Sequence, residues 1–323
     1  MSSTRQSPEA ASSIRSSERP TRVAIIGARG IGRVHARIFH ALGADVCAVV
    51  GSSAESAADA SSSLARAFGI EARAYPRMED IPRHDVDAVS ICTPSHLHCT
   101  QALAAFERGW SVFCEKPLFW WESISAREIG ARLAQLRAHP ARGLFINTSN
   151  ASFIDSVRTE LPDPRVAESF SFHFYTQGPF RGAAIGVDLL PHALSLLLRA
   201  LGTRTIADIR SDVSAEVYRC FFRYGGAMVD FDLRQREGGP RALGFGVGTR
   251  HFVRLQEGSM ETYKVFLEPV GTSRRLEVRD PFEVYIERFL RYCSAGSRHM
   301  EDAFEEAATN LSLMAQILGG GIG

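Results

Sequence analysis

From Arg22 onward the chain repeats one unit, a short apolar run followed by a longer amphipathic one: "RVAII", "GRVHARIFHALG", "DVCAVV", "AADASSSLARAFG", "VDAVSICTP", "SHLHCTQALAAFERG" and "WSVFCEKPL". Buried strands that alternate with helices belong in a parallel, doubly wound sheet. The carboxyl ends of its strands then face one crevice. After about residue 140 the beat changes. "GLFINTSN" is a last strand of this kind, followed by longer alternating runs such as "ESFSFHFYTQ", "AEVYRCFFRY", "GAMVDFDLRQ", "HFVRLQEG" and "ETYKVFLEPV". Turn signals such as "YGG" and "EGS" separate several of them and predict antiparallel hairpins. Helical patterns at "GVDLLPHALSLLLRALG", "PFEVYIERFLRYC" and "EDAFEEAATNLSLMAQIL" are expected to cover one face of that second sheet.

The predicted fold is therefore α/β, with an N-terminal Rossmann doubly wound parallel sheet over residues 21–140. A C-terminal α/β domain with an open, mainly antiparallel sheet follows over 141–323. Residues 1–20 hold seven serines and one large aliphatic residue, Ile14, beyond the first Met. They cannot bury a core and are expected to be a disordered tail whose removal changes neither stability nor activity.

Charge excludes some partners. With 37 Lys and Arg against 36 Asp and Glu, nothing favours nucleic acid or an anionic membrane, and a small-molecule substrate is expected. No apolar run reaches the roughly 18 to 20 residues that span a bilayer. The nearest, "LLPHALSLLLRALG", is interrupted by Pro191, His192 and Arg199. Six scattered cysteines without a close pair read as reduced thiols of a cytoplasmic protein, and no metal site is expected.

"GARGIGRVH", residues 27 to 35, stands where a dinucleotide-binding loop opens the first helix, with Arg29 in place of the usual second glycine. Gly27 ends the strand, and Gly30 and Gly32 let a tight turn feed the helix, whose free amides would face a pyrophosphate. A plain strand-to-helix turn would carry the same glycines. The second strand ends "VVGSS", with no acid until Glu55 to accept from the ribose hydroxyls. Ser52 and Ser53 can donate to a phosphate, and Arg29 adds a charge and a fork of donors. NADP is the expected cofactor, with NAD possible.

"TPSHLH" at 93–98, "CEKPL" at 114–118 and "DLLPH" at 188–192 give the chain a specific resemblance. In order and spacing it resembles the Gfo/Idh/MocA oxidoreductases from about Arg22 to Leu318. The resemblance implies a nicotinamide-binding domain followed by a domain whose sheet floors the substrate site. It implies that Lys116 lies beside nicotinamide and substrate, that Asp188 and His192 complete the reactive group, and that the Lys116–Pro117 peptide is cis. It also places Ile31, Thr93, Pro94, His98 and Glu115 on the cofactor side, with a homodimer or homotetramer expected.

The chemistry agrees with those roles. Hydride transfer at a carbon bound to oxygen or nitrogen needs a proton moved on the heteroatom, which the nicotinamide does not supply. His192 titrates nearest neutrality and is the natural acid/base, and in a helix Asp188 lies one turn before it on the same face. Pro191 is tolerable if the helix is just beginning there. His96 and His98 point apart and lack a third ligand, so His96 is assigned to the surface.

"NTSNASF" replaces a stretch that often carries Tyr and Arg, leaving Asn147, Asn150 and Arg181 as possible substrate contacts. The rings of Phe119, Trp120 and Trp121 are expected to pack, with one able to wall the pocket. The expected activity is hydride transfer between a nicotinamide and a small polar carbonyl, imine or hydroxyl compound such as a sugar or cyclitol. The alternative is an inactive cofactor-binding regulator, which would have no need of Lys116, Asp188 and His192 together.

Overall fold

The computed structural model describes residues 19–139, 143–258, 264–295 and 300–320, so the tail expected at 1–20 lies almost wholly outside the described residues. Strands β1 (Arg22–Ile26), β2 (Asp45–Val50), β3 (Arg73–Tyr75), β4 (Ala88–Ile91), β5 (Ser111–Cys114) and β6 (Leu144–Ile146) form a parallel sheet in the order β3-β2-β1-β4-β5-β6. Helices α1 (Ile31–Ala41), α2 (Ala54–Phe68), α3 (Ser95–Glu107) and α4 (Ala126–Ala138) make the crossovers. The apolar run of β1 is covered on both faces, with Val23, Ala24 and Ile25 fully buried. Strand order reverses between β1 and β4, which opens the crevice at their carboxyl ends. β6 lies beyond the boundary expected at residue 140 and is this sheet's last strand.

A short helix α5 (Ser152–Ser156) leads to the second sheet. Its strands are β7 (Ser169–Thr176), β8 (Ile206–Val213), β9 (Val217–Tyr224), β10 (Ala227–Gln235), β11 (Ala242–Val247), β12 (Arg250–Glu257), β13 (Lys264–Pro269) and β14 (Leu276–Val278). They run in the order β14-β13-β12-β11-β7-β10-β9-β8, antiparallel except where β7 meets β10. Two-residue alternation puts Phe170 and Phe172 of β7, Phe222 of β9, and Val229, Phe231 and Leu233 of β10 on a buried inner face. Helix α6 (Ala183–Leu201) lies across that face, with α8 (Met300–Gly320) packed beside it.

Two expectations are corrected. α6 begins at Ala183, so Pro191 sits deep inside the helix rather than at its start. The ring removes the amide that would have bonded the Val187 carbonyl. Burial of most of α6 in the core outweighs that loss. At 19 residues α6 is, contrary to the expectation above, long and apolar enough to cross a bilayer, and its burial in the core accounts for that apolarity. Helix α7 (Pro281–Ala295) does not cover the second sheet. Its Tyr285, Ile286 and Phe289 pack onto α1 and the first sheet, where Phe289 lies 5.4 Å from Phe113 and 6.1 Å from Phe39 between ring centroids. An apolar helix face specifies that it must be covered and not by which sheet.

Candidate active site

The glycine loop is shaped by backbone contact. A Cβ on Gly32 would lie 2.1 Å from the Gly27 carbonyl oxygen, and one on Gly27 would lie 2.9 Å from that of Cys92. Gly27 and Gly30 have φ of 85° and 52°, a region that favours glycine. α1 begins without a side-chain cap, as does α3, whose first turn faces the same crevice from the end of β4. An uncapped helix start above close-packed glycines is suited to a pyrophosphate. These features fit a dinucleotide cofactor.

Across the crevice, β5 leads into Glu115, Lys116 and a cis Lys116–Pro117 peptide. Lys116 Nζ donates to Asp188 Oδ1 at 2.7 Å and to the Asp188 carbonyl at 2.9 Å. Gln235, fully buried at the end of β10, donates to Asp188 Oδ2 at 2.5 Å. Asp188 thus faces Lys116 and Gln235, not the His192 ring one turn on. Burial pushes the Asp188 carboxyl up, but Lys116 outweighs it and the net shift is downward. His192 lies edge-on to Phe174 at 5.4 Å, and its Nδ1 is buried with no hydrogen-bond partner. Burial and the Lys116 charge push His192 down to about 3, so the ring is neutral near pH 7. The site therefore offers an ammonium donor and a neutral imidazole at one junction between the two sheets.

Beneath Lys116 lies a buried network that the motifs did not disclose. His35 of α1 is wholly buried, with Nε2 at 2.9 Å from Glu115 Oε1. Its Nδ1 meets Ser90 Oγ at 2.9 Å and Cys92 Sγ at 3.2 Å. Asn147 donates to Glu115 Oε1 at 2.6 Å and is 2% exposed, so the substrate contact expected of it is replaced by a contact beneath the site. Burial pushes His35 down, but Cys92 and Glu115 reverse this and raise it to about 10. Burial pushes Glu115 up, and His35 reverses that to about 2.

A raised histidine contributes stability below its unfolded pKa of about 6.5 that is lost as pH climbs through its folded value. A depressed glutamate contributes above its unfolded value of about 4.3 that is lost as pH falls through its folded one. The pair therefore contributes most to the melting temperature between roughly pH 4.3 and 6.5, and its contribution declines toward pH 10. His35→Gln should flatten the alkaline decline, and an unchanged profile in that variant would remove the pair from the cause.

His98 is buried with Nδ1 at 2.9 Å from the Pro117 carbonyl and Nε2 at 2.7 Å from that of Thr93. It links the start of α3 to the cis turn behind the crevice. Thr93 Oγ1 donates to Gln101, Pro94 is exposed at the helix start, and Ile31 is half-buried at the first turn of α1. Ser53 caps α2 by accepting from Ser56 N at 3.1 Å, while Ser52 is exposed beside it. Arg29 is 70% exposed and lies 3.6 Å from Asp59 of α2. His96 is exposed. Asn150 is buried in the turn Ser149–Ala151, which packs against α6 and α7. Arg181 is exposed and donates to the carbonyls of Gly178 and Phe180. Phe119 is fully buried and stacks on Trp121 at 6.0 Å, and Trp120 is only partly buried.

Sequence reasoning missed His35 and Gln235. Both carried a signal. His35 falls on the apolar face of α1 with Ile38 and Phe39, and Gln235 completes the inward alternation Val229, Phe231, Leu233.

Comparison with known proteins agrees with this arrangement. The Gfo/Idh/MocA model, described as an oxidoreductase family with NAD-binding Rossmann fold, matches residues 21–139. Inositol 2-dehydrogenase 3 of Saccharopolyspora erythraea is 38% identical over 125 residues, 38% of this chain and 33% of that protein. Inositol 2-dehydrogenase of Rhizobium meliloti is 34% identical over 149 residues, 46% of this chain and 42% of the relative. The chain thus matches a third to under half of the length of these relatives. Among solved structures, UDP-N-acetylglucosamine 3-dehydrogenase from Acidithiobacillus ferrooxidans superposes with a TM-score of 0.71 at 20% identity, covering 94% of this chain and 98% of the other. KijD10, a 3-ketoreductase from Actinomadura kijaniata solved with NADP, gives 0.68 at 18% identity over 94% and 98%. GenD2, solved with NAD, gives 0.67 at 20% identity over 92% and 93%. At these identities the likeness establishes the shared two-sheet fold.

Proposed function

We propose that this chain, whose residues 21–139 match the Gfo/Idh/MocA oxidoreductase family with an NAD-binding Rossmann fold, transfers hydride between a nicotinamide cofactor and a cyclitol or sugar. The observation that carries this is the junction where Lys116 Nζ meets Asp188 Oδ1 at 2.7 Å beside the buried, unpaired Nδ1 of His192. Gly27, Gly30 and the uncapped start of α1 would hold the dinucleotide, which when bound supplies the hydride donor or acceptor. The Lys116 ammonium donates a hydrogen bond to the reacting oxygen and stabilises charge that develops on it. Neutral His192 takes the hydroxyl proton in oxidation and, protonated, returns it in reduction. Asp188 and Gln235 fix the Lys116 amine and counter its charge. The named relatives act on inositol and on a UDP-sugar, which places polyhydroxylated rings first among substrates to test. A second copy would pair on the outer face of the second sheet, where Phe221 and Met228 are exposed, and mass measurement in solution tests this.

Cofactor preference rests on Arg29. Its exposed contact with Asp59 is a weak surface pair that a 2′-phosphate can displace. A charge-assisted bond of about 1.5 to 3 kcal/mol makes Arg29→Ala weaken NADPH by roughly ten- to a hundredfold, with NADH barely changed. Dissociation constants for both decide it. Equal losses would assign Arg29 to the pyrophosphate or to the loop itself.

A further inference from the structure

Cys92 follows directly on β4 at the point where strand order reverses, under the glycine loop. The Gly27 and Gly32 Cα atoms approach it so closely that added Cβ atoms would fall 2.9 Å from its carbonyl oxygen and 3.2 Å from its own Cβ. Its sulfur does not face apolar core. It lies 3.2 Å from His35 Nδ1, and the opposite nitrogen of that ring is 2.9 Å from Glu115 Oε1. A thiol, an imidazole and a carboxylate in that order form the arrangement that makes a nucleophile: the ring takes the proton and the carboxylate steadies the resulting imidazolium. Asn147 donates to the same Glu115 Oε1 at 2.6 Å, with its Nδ2 3.4 Å from His35 Nε2, and its own Oδ1 is buried without a partner. The other five cysteines are set differently. Burial pushes Cys47 up to about 11 and Cys293 up to about 12, and it raises Cys99, Cys114 and Cys220 as well. Cys92 is half-buried.

We propose that Cys92 is an activated thiol whose alkylation or oxidation by a peroxide closes the dinucleotide crevice. The second half of this inference rests on the dinucleotide reading of that crevice. With hydrogen peroxide, the Cys92 sulfur bonds to one peroxide oxygen as the O–O bond breaks. Sulfur is oxidised to a sulfenic acid, and the departing hydroxide takes the proton held on His35 to leave as water. With iodoacetamide, an S–C bond forms, iodide leaves, and His35 keeps the thiol proton. Any group added to the sulfur enlarges the residue on which the glycine loop packs, where Cβ atoms on Gly27 and Gly32 would already fall 2.9 Å and 3.2 Å from Cys92 atoms. The charged and titratable groups facing the thiol system are His35 from α1, Cys114 of β5 and Glu115 just after it, with the Ser90 hydroxyl beside it on β4.

The test is site-resolved alkylation of the intact chain with iodoacetamide, read by peptide mass. Cys92 is expected to react about tenfold or more faster than free cysteine at pH 6, with a pH profile displaced to the acid side. His35→Gln should slow it by about tenfold and restore an ordinary thiol profile. Since that variant removes a buried partner, the wild-type pH profile stands as an independent measure. A Cys92 rate at or below that of free cysteine, with the usual alkaline dependence, would overturn the proposal. Dinucleotide binding is followed separately. A bound dinucleotide that fails to protect Cys92 overturns the closure of the crevice. Absence of any dinucleotide binding refutes the proposed function and, with it, the closure, while the alkylation rate still decides whether the thiol is activated. After peroxide, Cys92→Ser should retain most of its own starting dinucleotide affinity while wild type loses at least about tenfold.

Discussion

Lys116→Ala is expected to lower turnover by about two to four orders of magnitude while dinucleotide affinity changes little. The amine is 14% exposed and makes two hydrogen bonds to Asp188, so it is held at a fixed point rather than sampling solvent. Its removal deletes the positive charge facing the reacting oxygen and leaves the half-buried Asp188 with Gln235 alone as a side-chain donor. The uncompensated carboxylate is costly, and Asp188 should then protonate more readily. Lys116→Arg would keep the charge without the geometry, because a planar fork cannot place one nitrogen against both the carboxylate and the carbonyl of Asp188. Stopped-flow turnover and a separate dinucleotide titration distinguish the effects. A loss confined to affinity would assign Lys116 to cofactor binding.

Gly32→Ala is the second large effect, and it reaches the site through the backbone. A methyl group 2.1 Å from the Gly27 carbonyl oxygen cannot be absorbed by a side-chain rotation. The strand-to-helix turn must open, which moves Gly27 away from Cys92 and displaces the start of α1. Dinucleotide affinity should fall by at least about a hundredfold and the melting temperature should drop with it. Gly30→Ala makes the control, since nothing lies within 4 Å of its added Cβ, and only its φ of 52° resists substitution. That strain costs on the order of 1 to 3 kcal/mol. Calorimetry and fluorescence titration on both variants give the comparison. Equal, small effects would mean that the turn is looser than its contacts indicate.

Much of this architecture was legible in local pattern. The strand and helix beat, the glycines after β1, and the Glu-Lys-Pro turn after β5 are all short-range features, and they mark the same crevice. What escaped was long-range pairing. His35 reads as one more residue of an amphipathic helix until folding brings β4, β5 and β6 up to its ring. Ser90 lies on β4 while Glu115 and Asn147 lie just past the ends of β5 and β6, and no spacing rule links them. Asp188 and His192 share a helix face, yet Lys116 outcompetes the imidazole for the carboxylate because an ammonium binds it more strongly than a neutral ring does. The three-residue β3 and the glycine-bearing β11 carry too little alternation to be read. The apolar face of α7 was evident, but its docking on Phe39 and Phe113 was not.

The most direct test of hydride transfer is nicotinamide absorbance on mixing the full chain with NAD or NADP, in either redox state, and a panel of inositols, UDP-sugars and their keto forms. Wild type is expected to change the absorbance with at least one compound of the panel, and Lys116→Ala to leave that trace nearly flat. Tight dinucleotide binding by wild type with no oxidation or reduction of any compound would contradict hydride transfer and make the chain a cofactor-sensing regulator on the same fold.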